Sequence, residues 1–308
     1  MNLVRTVIKS IPMKQAYTTM IGLLITVITL SCSKDMAETP AATVADVGLD
    51  ERTATTPITE RESDPPILRR KPERINGNIG GYAEILPKYY YNERNKSKRY
   101  PLIVFLHGWG QRGNGTSDLY KLEWYAIPQY VVNKKFPGRF SSDGKLLSFI
   151  IVCPQNDGWP SPNDVNATIN FCIKKYNVDT TRIYLCGMSM GGGNAWDYTT
   201  IYGNKLAAIV PICGASDVNS GKAQSLARSK TGIWAFHNST DPVVQVAKTK
   251  NYVSSIVKYH PVIYPKATIW ARGSEADQHD AWTKATNPEY REGGKNIYEW
   301  MLQFRRTD

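Results

Sequence analysis

The sequence predicts an α/β fold, with a mostly parallel central sheet and helices on both faces. Three observations lead to it. Unbroken apolar runs such as Leu102–Leu106 recur along the chain, and continuous runs of this kind mark strands buried on both faces, as in parallel sheets. Segments with helical periodicity alternate with these runs, the order that builds strand–helix–strand crossovers. One run passes directly into Gly187-Met188-Ser189-Met190-Gly191, whose glycines permit a sharp turn from a buried strand into a helix.

The elements follow in chain order. Residues 1–32 read as an export signal. Arg5, Lys9 and Lys14 precede the apolar run Met20–Leu30, which is too short to cross a bilayer, where roughly 20 residues are needed. Ser31 then stands before Cys32, and this junction resembles the lipobox of bacterial lipoproteins, with Thr29 where that pattern usually has Leu. Ser33-Lys34-Asp35 looks like the tag that sends such lipoproteins to the cell surface. The resemblance implies acylation of Cys32, membrane attachment through the lipid, and an outer-membrane or cell-surface location. A plain secretory peptide, leaving a periplasmic or secreted protein, is the alternative.

Residues 33–74 are rich in Ala, Thr, Pro, Glu and Asp. Such a composition buries too little apolar area to order itself, so a disordered polar tether is expected here. Residues 75–308 form the expected folded domain. Gly81–Pro87 alternates like a strand, and segments near Asn78 and Tyr82 are expected to pair as an antiparallel hairpin at one sheet edge. Buried strands are expected at Leu102–Leu106, Ser148–Cys153, Arg182–Cys186, Leu206–Ile212, Gly232–Phe236 and Ala267–Trp270. Helices are expected at Asn163–Tyr176, amphipathic with Val165, Ile169, Phe171, Cys172 and Ile173 as its apolar positions, and at Asn194–Tyr202, Val244–Tyr259 and Asn296–Arg305.

Composition bounds the function without naming it. Hydrophobic residues make up 42% and charged residues 21% of the 308, which permits a sizeable core. The formal net charge is +11. The basic residues are scattered and form no run interleaved with aromatics, which argues against nucleic acid as a partner and leans towards an acidic polysaccharide neighbourhood. Of the five cysteines, Cys153, Cys172, Cys186 and Cys213 lie in apolar stretches. Their spacing fits no metal motif, and buried free thiols are expected.

Ser189 is the candidate nucleophile, because the elbow pushes its hydroxyl out at the top of the sheet. A serine hydroxyl needs a base, and the chain has four histidines. His107 ends a strand in His107-Gly108-Trp109-Gly110, His237 ends another, and His260 lies at the end of a helix. His279, in the loop after the last strand, fits the order serine, acid, histidine of the α/β-hydrolase fold. Asp241 is the preferred acid by that order, with Asp277 and Asp280 as competitors close to His279. The backbone N–H groups of Trp109 and Met190 are the expected oxyanion donors. Trp109, Trp159 and Trp282 fall on loops at the same end and are candidates to stack on an aromatic acyl group or a sugar ring.

Leu86-Pro87-Lys88-Tyr89, Tyr100 to Gly108, Pro154-Gln155 with Trp159, Gly187 to Gly192 and His279-Asp280-Ala281-Trp282 together resemble one group of bacterial α/β-hydrolase esterases. The group is related to feruloyl and acetyl-xylan esterases, esterase D and polyhydroxybutyrate depolymerases. The resemblance runs from about Gly81 to the C-terminus. It implies carboxylic ester hydrolysis by a Ser-His-Asp acyl-enzyme route, without a cofactor or metal, on feruloyl or acetyl groups of plant polysaccharides. Ala271–Gln278 departs from the group's pattern, being a longer and more polar approach to the histidine. Two other readings stand beside this one: a serine peptidase of the same fold, and a non-catalytic carbohydrate-binding surface lipoprotein.

Overall fold

The computed structural model describes residues 64–273 and 277–307. The signal peptide, Cys32 and most of the expected tether lie outside these residues. In chain order, β1 (Ile67–Lys71), β2 (Ile79–Leu86) and β3 (Tyr100–Leu106) come first, then α1 (Ala126–Val132). The short hairpin β4 (Phe140–Ser142) and β5 (Lys145–Leu147) precedes β6 (Ile150–Asn156) and α2 (Pro162–Lys175). β7 (Val178–Met188), α3 (Met190–Tyr202), β8 (Ala208–Ile212) and α4 (Ser220–Arg228) follow. The chain then forms β9 (Gly232–Asn238), α5 (Ala247–Val257), β10 (Lys266–Trp270), α6 (Trp282–Ala285) and α7 (Ile297–Met301).

Eight strands form one sheet in the order β1-β2-β6-β3-β7-β8-β9-β10. The ladders from β6 through β10 are parallel, and β2 pairs antiparallel with both β1 and β6. The central stretches of the parallel strands β3, β6, β7, β8 and β9 are apolar because they feed two cores, while polar residues sit towards strand ends, as Asp179–Arg182 in β7 and Gln155 and Asn156 in β6. In β3, Ile103 and Phe105 enter one cluster, while Leu102, Val104 and Leu106 enter the other. β7 divides in the same way, with Tyr184 and Cys186 on one side and Ile183 and Leu185 on the other. Helices α1, α6 and α7 close the first cluster, and α2 to α5 close the second. Trp196 of α3 stacks on Tyr252 of α5 with centroids 4.3 Å apart. Burying a large apolar side chain of this kind contributes about 1.5–3 kcal/mol.

Helix boundaries follow local chemistry. Ser161 caps α2 by accepting the Asp164 N–H, and Pro162 occupies the first turn, where its missing N–H costs nothing. Asn296 caps α7 in the same manner. Cys153, Cys172, Cys186 and Cys213 are free and buried.

Two expectations are corrected. Ile67–Lys71 is a strand, so the folded domain begins before residue 75 and the stretch expected as tether up to residue 74 is too long. The edge hairpin is β1 with β2, not segments near Asn78 and Tyr82; Tyr82 lies within β2 and pairs with Lys71. The low apolar content of residues 33–74 conceals this five-residue strand, whose order comes from pairing with distant partners. Arg70 in it makes two hydrogen bonds to the Glu123 carboxylate, at 2.5 and 2.8 Å.

Candidate active site

The elbow sets the centre of the site. β7 ends at Met188 and α3 starts at Met190, leaving Ser189 between them at φ 53° and ψ −115°. A non-glycine residue held at such angles stores about 1–3 kcal/mol of strain. Backbone bonds hold it there: Ser189 donates to Ile212 O at 2.9 Å and accepts from Gly193 N–H at 2.9 Å and Ala215 N–H at 3.0 Å. The flanking glycines are required sterically. A Cβ on Gly187 would lie 2.4 Å from Gly191 O, and one on Gly191 would lie 2.2 Å from Leu106 O.

Ser189 Oγ lies 2.9 Å from His279 Nε2, and His279 Nδ1 lies 2.6 Å from Asp241 Oδ2. A carboxylate accepts, so Nδ1 carries the hydrogen and Nε2 is left to accept the serine proton. Asp241 follows β9 and is buried. Its Oδ1 accepts the N–H groups of Val243 and Val244, both at 2.9 Å, and His237 Nε2 stands 3.2 Å from its Oδ2. Burial alone would raise the Asp241 carboxyl; hydrogen bonds from His237, His279 and the two valine N–H groups outweigh it and hold the group well below the usual carboxylate range.

The competing acids point elsewhere. Asp277 Oδ1 accepts the backbone N–H of His279 at 2.8 Å, and Asp280 Oδ1 accepts Thr283 N–H at 2.8 Å. Burial raises the Asp280 carboxyl. His260 sits exposed just past α5. Sγ of Cys213 also lies within 4.8 Å of ligand atoms of Asp241 and His279. Burial pushes that thiol well up, and the other two residues already bind each other.

The loop after β3 lies over the serine: a Cβ on Gly108 would sit 3.7 Å from Ser189 Cβ. Trp109 and Met190 each open a helical turn, where the N–H has no partner within the helix. His107 holds this loop. Its Nδ1 lies 2.7 Å from Gly108 O, and its Nε2 accepts Asn156 N–H at 3.0 Å. A carbonyl only accepts, so the ring is the Nδ1–H tautomer. Burial pushes its pKa down to about 4. Two buried glutamines brace the same loop. Gln111 accepts Gly108 N–H at 3.3 Å and donates to Lys121 O at 2.9 Å, while Gln155 donates to Gln111 O at 3.1 Å and Asp118 O at 2.8 Å. Sequence reasoning missed Gln111, because a single Gln in a loop carries no local sign of the backbone groups it meets after folding.

The cleft over Ser189 holds about 260 Å³ and is lined by Trp109, Tyr125, Met188, Val243, Asp277 and Trp282, among others. A larger hollow of about 530 Å³ beside β1 contains none of Ser189, Asp241 and His279. The three expected aromatic contacts differ. Trp109 is 53% exposed and Trp159 49%, and their rings lie 6.2 Å apart. Trp282 is only 6% exposed and packs edge-on against His279 at 5.1 Å, which makes it a brace for the imidazole. Trp159 does not line the cleft itself. Tyr125, absent from the sequence expectations, does, and it packs on Trp282 at 5.8 Å.

Comparison with known proteins agrees with this architecture. Residues 160–286, from α2 through α6, match the Dienelactone hydrolase family and include Ser189, Asp241 and His279. The chain is 26% identical over 176 residues to the bifunctional acetylxylan esterase/xylanase XynS20E of Neocallimastix patriciarum, a match covering 54% of this chain. It spans 23% of that relative's length. The crystal structure of a thermostable esterase superposes with a TM-score of 0.55 at 26% identity, covering 78% of this chain and 62% of the other. FphF, a fluorophosphonate-binding serine hydrolase of Staphylococcus aureus, superposes with a TM-score of 0.51 at 12% identity over 78% of this chain and 99% of its own, a likeness of fold alone. The chain has the α/β-hydrolase fold.

Proposed function

We propose that this chain, with its dienelactone hydrolase family match, is a serine carboxylesterase that removes feruloyl or acetyl groups from plant polysaccharides. The observation that carries the proposal is the hydrogen-bonded row Ser189–His279–Asp241 opening into a cleft. Ser189 Oγ attacks the ester carbonyl carbon while His279 Nε2 takes its proton. The carbonyl π electrons move to oxygen, and the N–H groups of Trp109 and Met190 receive that oxyanion. Collapse breaks the C–O bond, and His279 returns the proton to the departing alcohol. Water, deprotonated by His279, then attacks the acyl-serine. The carboxylic acid leaves and Ser189 regains its proton. Asp241 holds the imidazole tautomer and stabilises the imidazolium throughout.

The substrate class draws on the acetylxylan esterase name of the relative and on the exposed rings of Trp109 and Trp159 beside the cleft. Location is a separate proposal. Cys32 carries a lipid, and the polar segment after it tethers the domain within reach of an insoluble polymer. Hydrolysis of a panel of aryl acetate, aryl butyrate and methyl ferulate esters, with Ser189→Ala as control, tests the activity. Turnover and fluorophosphonate labelling are expected in the parent and lost in the variant. A parent that cleaves none of the esters and takes no label refutes the reading.

A further inference from the structure

His237 ends β9 and is wholly buried, yet it takes no part in the steps above. Nδ1 lies 2.8 Å from the Thr249 hydroxyl on α5. Nε2 lies 2.8 Å from the Val244 carbonyl oxygen and 3.2 Å from Asp241 Oδ2. The Val244 carbonyl can only accept, so Nε2 bears a hydrogen and shares it between that carbonyl and the carboxylate. The Thr249 hydroxyl can donate or accept and suits Nδ1 either way.

The partners of Asp241 show why this matters. Val243 and Val244 belong to its own turn, and their bonds fix the carboxylate only to that turn. His279 comes from the loop after β10. His237 is the side-chain partner that comes from the sheet, and β9 lies next to β8, whose Ile212 carbonyl accepts the Ser189 N–H. The ring therefore ties the acid to the framework that holds the nucleophile.

We propose that His237 is a positioning residue: its Nε2–H draws the Val244 carbonyl and Asp241 Oδ2 together, so that the carboxylate keeps facing His279 Nδ1. This rests on the reading of Ser189, His279 and Asp241 as a hydrolytic triad. Without that hydrogen Oδ2 keeps only His279 as a partner while Oδ1 stays pinned to its turn, and a shift of about 1 Å in such a group costs on the order of a hundredfold in rate.

Two variants of the full chain separate the nitrogens. In His237→Asn the amide reaches only the Nδ1 level, keeping Thr249 and losing Asp241. In His237→Gln it reaches the Nε2 level and restores a donor to Asp241. On an aryl acetate, the Asn variant should lose about ten- to a hundredfold in kcat with KM within about twofold, and the Gln variant should stay within about threefold. Proton NMR of the His279 Nδ1–H gives an independent signature, expected to move in the Asn variant and to return in the Gln variant. Equal kcat in the two variants, or kcat that simply follows Tm, overturns the assignment. If the Asn variant does not fold, the Gln variant decides: retained turnover with an unmoved NMR signal supports the role, and a loss beyond about tenfold overturns it. A parent without Ser189-dependent turnover instead refutes the triad, and the assignment with it.

Discussion

Replacing Asp241 by Asn removes one acceptor and inserts a donor, and the surrounding bonds dictate where each goes. The side-chain oxygen of Asn must stay at the Oδ1 position, because the N–H groups of Val243 and Val244 both point there at 2.9 Å. The amide NH₂ then occupies the Oδ2 position, 2.6 Å from His279 Nδ1 and 3.2 Å from His237 Nε2. His279 Nδ1 has to accept, its hydrogen moves to Nε2, and an N–H faces Ser189 Oγ where a lone pair is needed. His237 is left donor against donor. The expected loss in kcat is about four orders of magnitude, by analogy with the same change in serine proteases. That loss corresponds to about 5.5 kcal/mol of barrier at about 1.36 kcal/mol per decade. KM on a small ester should change little, since Asp241 is buried behind the imidazole. Steady-state hydrolysis of an aryl acetate by folded Asn variants at 241, 277 and 280 makes the check. A loss of less than about tenfold at 241, or a greater loss at 280, refutes the assignment of the acid.

Ser189→Gly should abolish turnover yet stabilise the fold by about 1–3 kcal/mol, because the strained backbone at φ 53° suits glycine; a melting temperature at or below that of the parent refutes the strain. His107 has its folded pKa lowered to about 4, below the ordinary 6.5, so the unfolded chain takes the proton first. Stability is therefore lost as pH falls from 6.5 towards 4, by at most roughly 3 kcal/mol. His107→Asn, which cannot titrate, should flatten the dependence of the urea midpoint over that window, and an unchanged slope refutes it. Trp159→Ala should raise KM on acetylated xylan while leaving kcat/KM on a small aryl ester unchanged; equal effects on both substrates would place Trp159 in the framework. Cys32→Ala should release active enzyme from the membrane fraction, and mass spectrometry of the mature N-terminus should find an acylated Cys32 in the parent; an unmodified terminus elsewhere removes the tether.

Much of the fold was legible because its signals are local. Leu102–Leu106 and Leu206–Ile212 are apolar at every position, and only a strand covered on both faces keeps so many such residues dry. Gly187 and Gly191 flank a serine between a strand and a helix, and the close approaches at both glycines leave no room for a side chain. The order serine, acid, histidine is likewise a property of the linear chain.

Long-range closure decided the rest. β1 becomes a strand only because β2 supplies its hydrogen bonds and Glu123 its counter-charge, partners that a window of local composition cannot see. Chain order favours Asp241 over Asp277 and Asp280 as the acid, but the choice is made by which carboxylate reaches Nδ1 and which accepts a backbone N–H. Trp282 reads in the sequence as a platform for an acyl or sugar ring; the fold buries most of it edge-on against His279 and leaves only its border on the cleft. The tautomers of His107 and His237 follow from carbonyl oxygens brought to them by Gly108 and Val244. Sequence by itself determined the parallel sheet and the elbow, because apolar runs and glycine spacing are written within a few consecutive residues. Tertiary structure alone decided which polar atoms face one another at the site, because hydrogen bonds are satisfied by proximity in space, and proximity is set only when the sheet has closed.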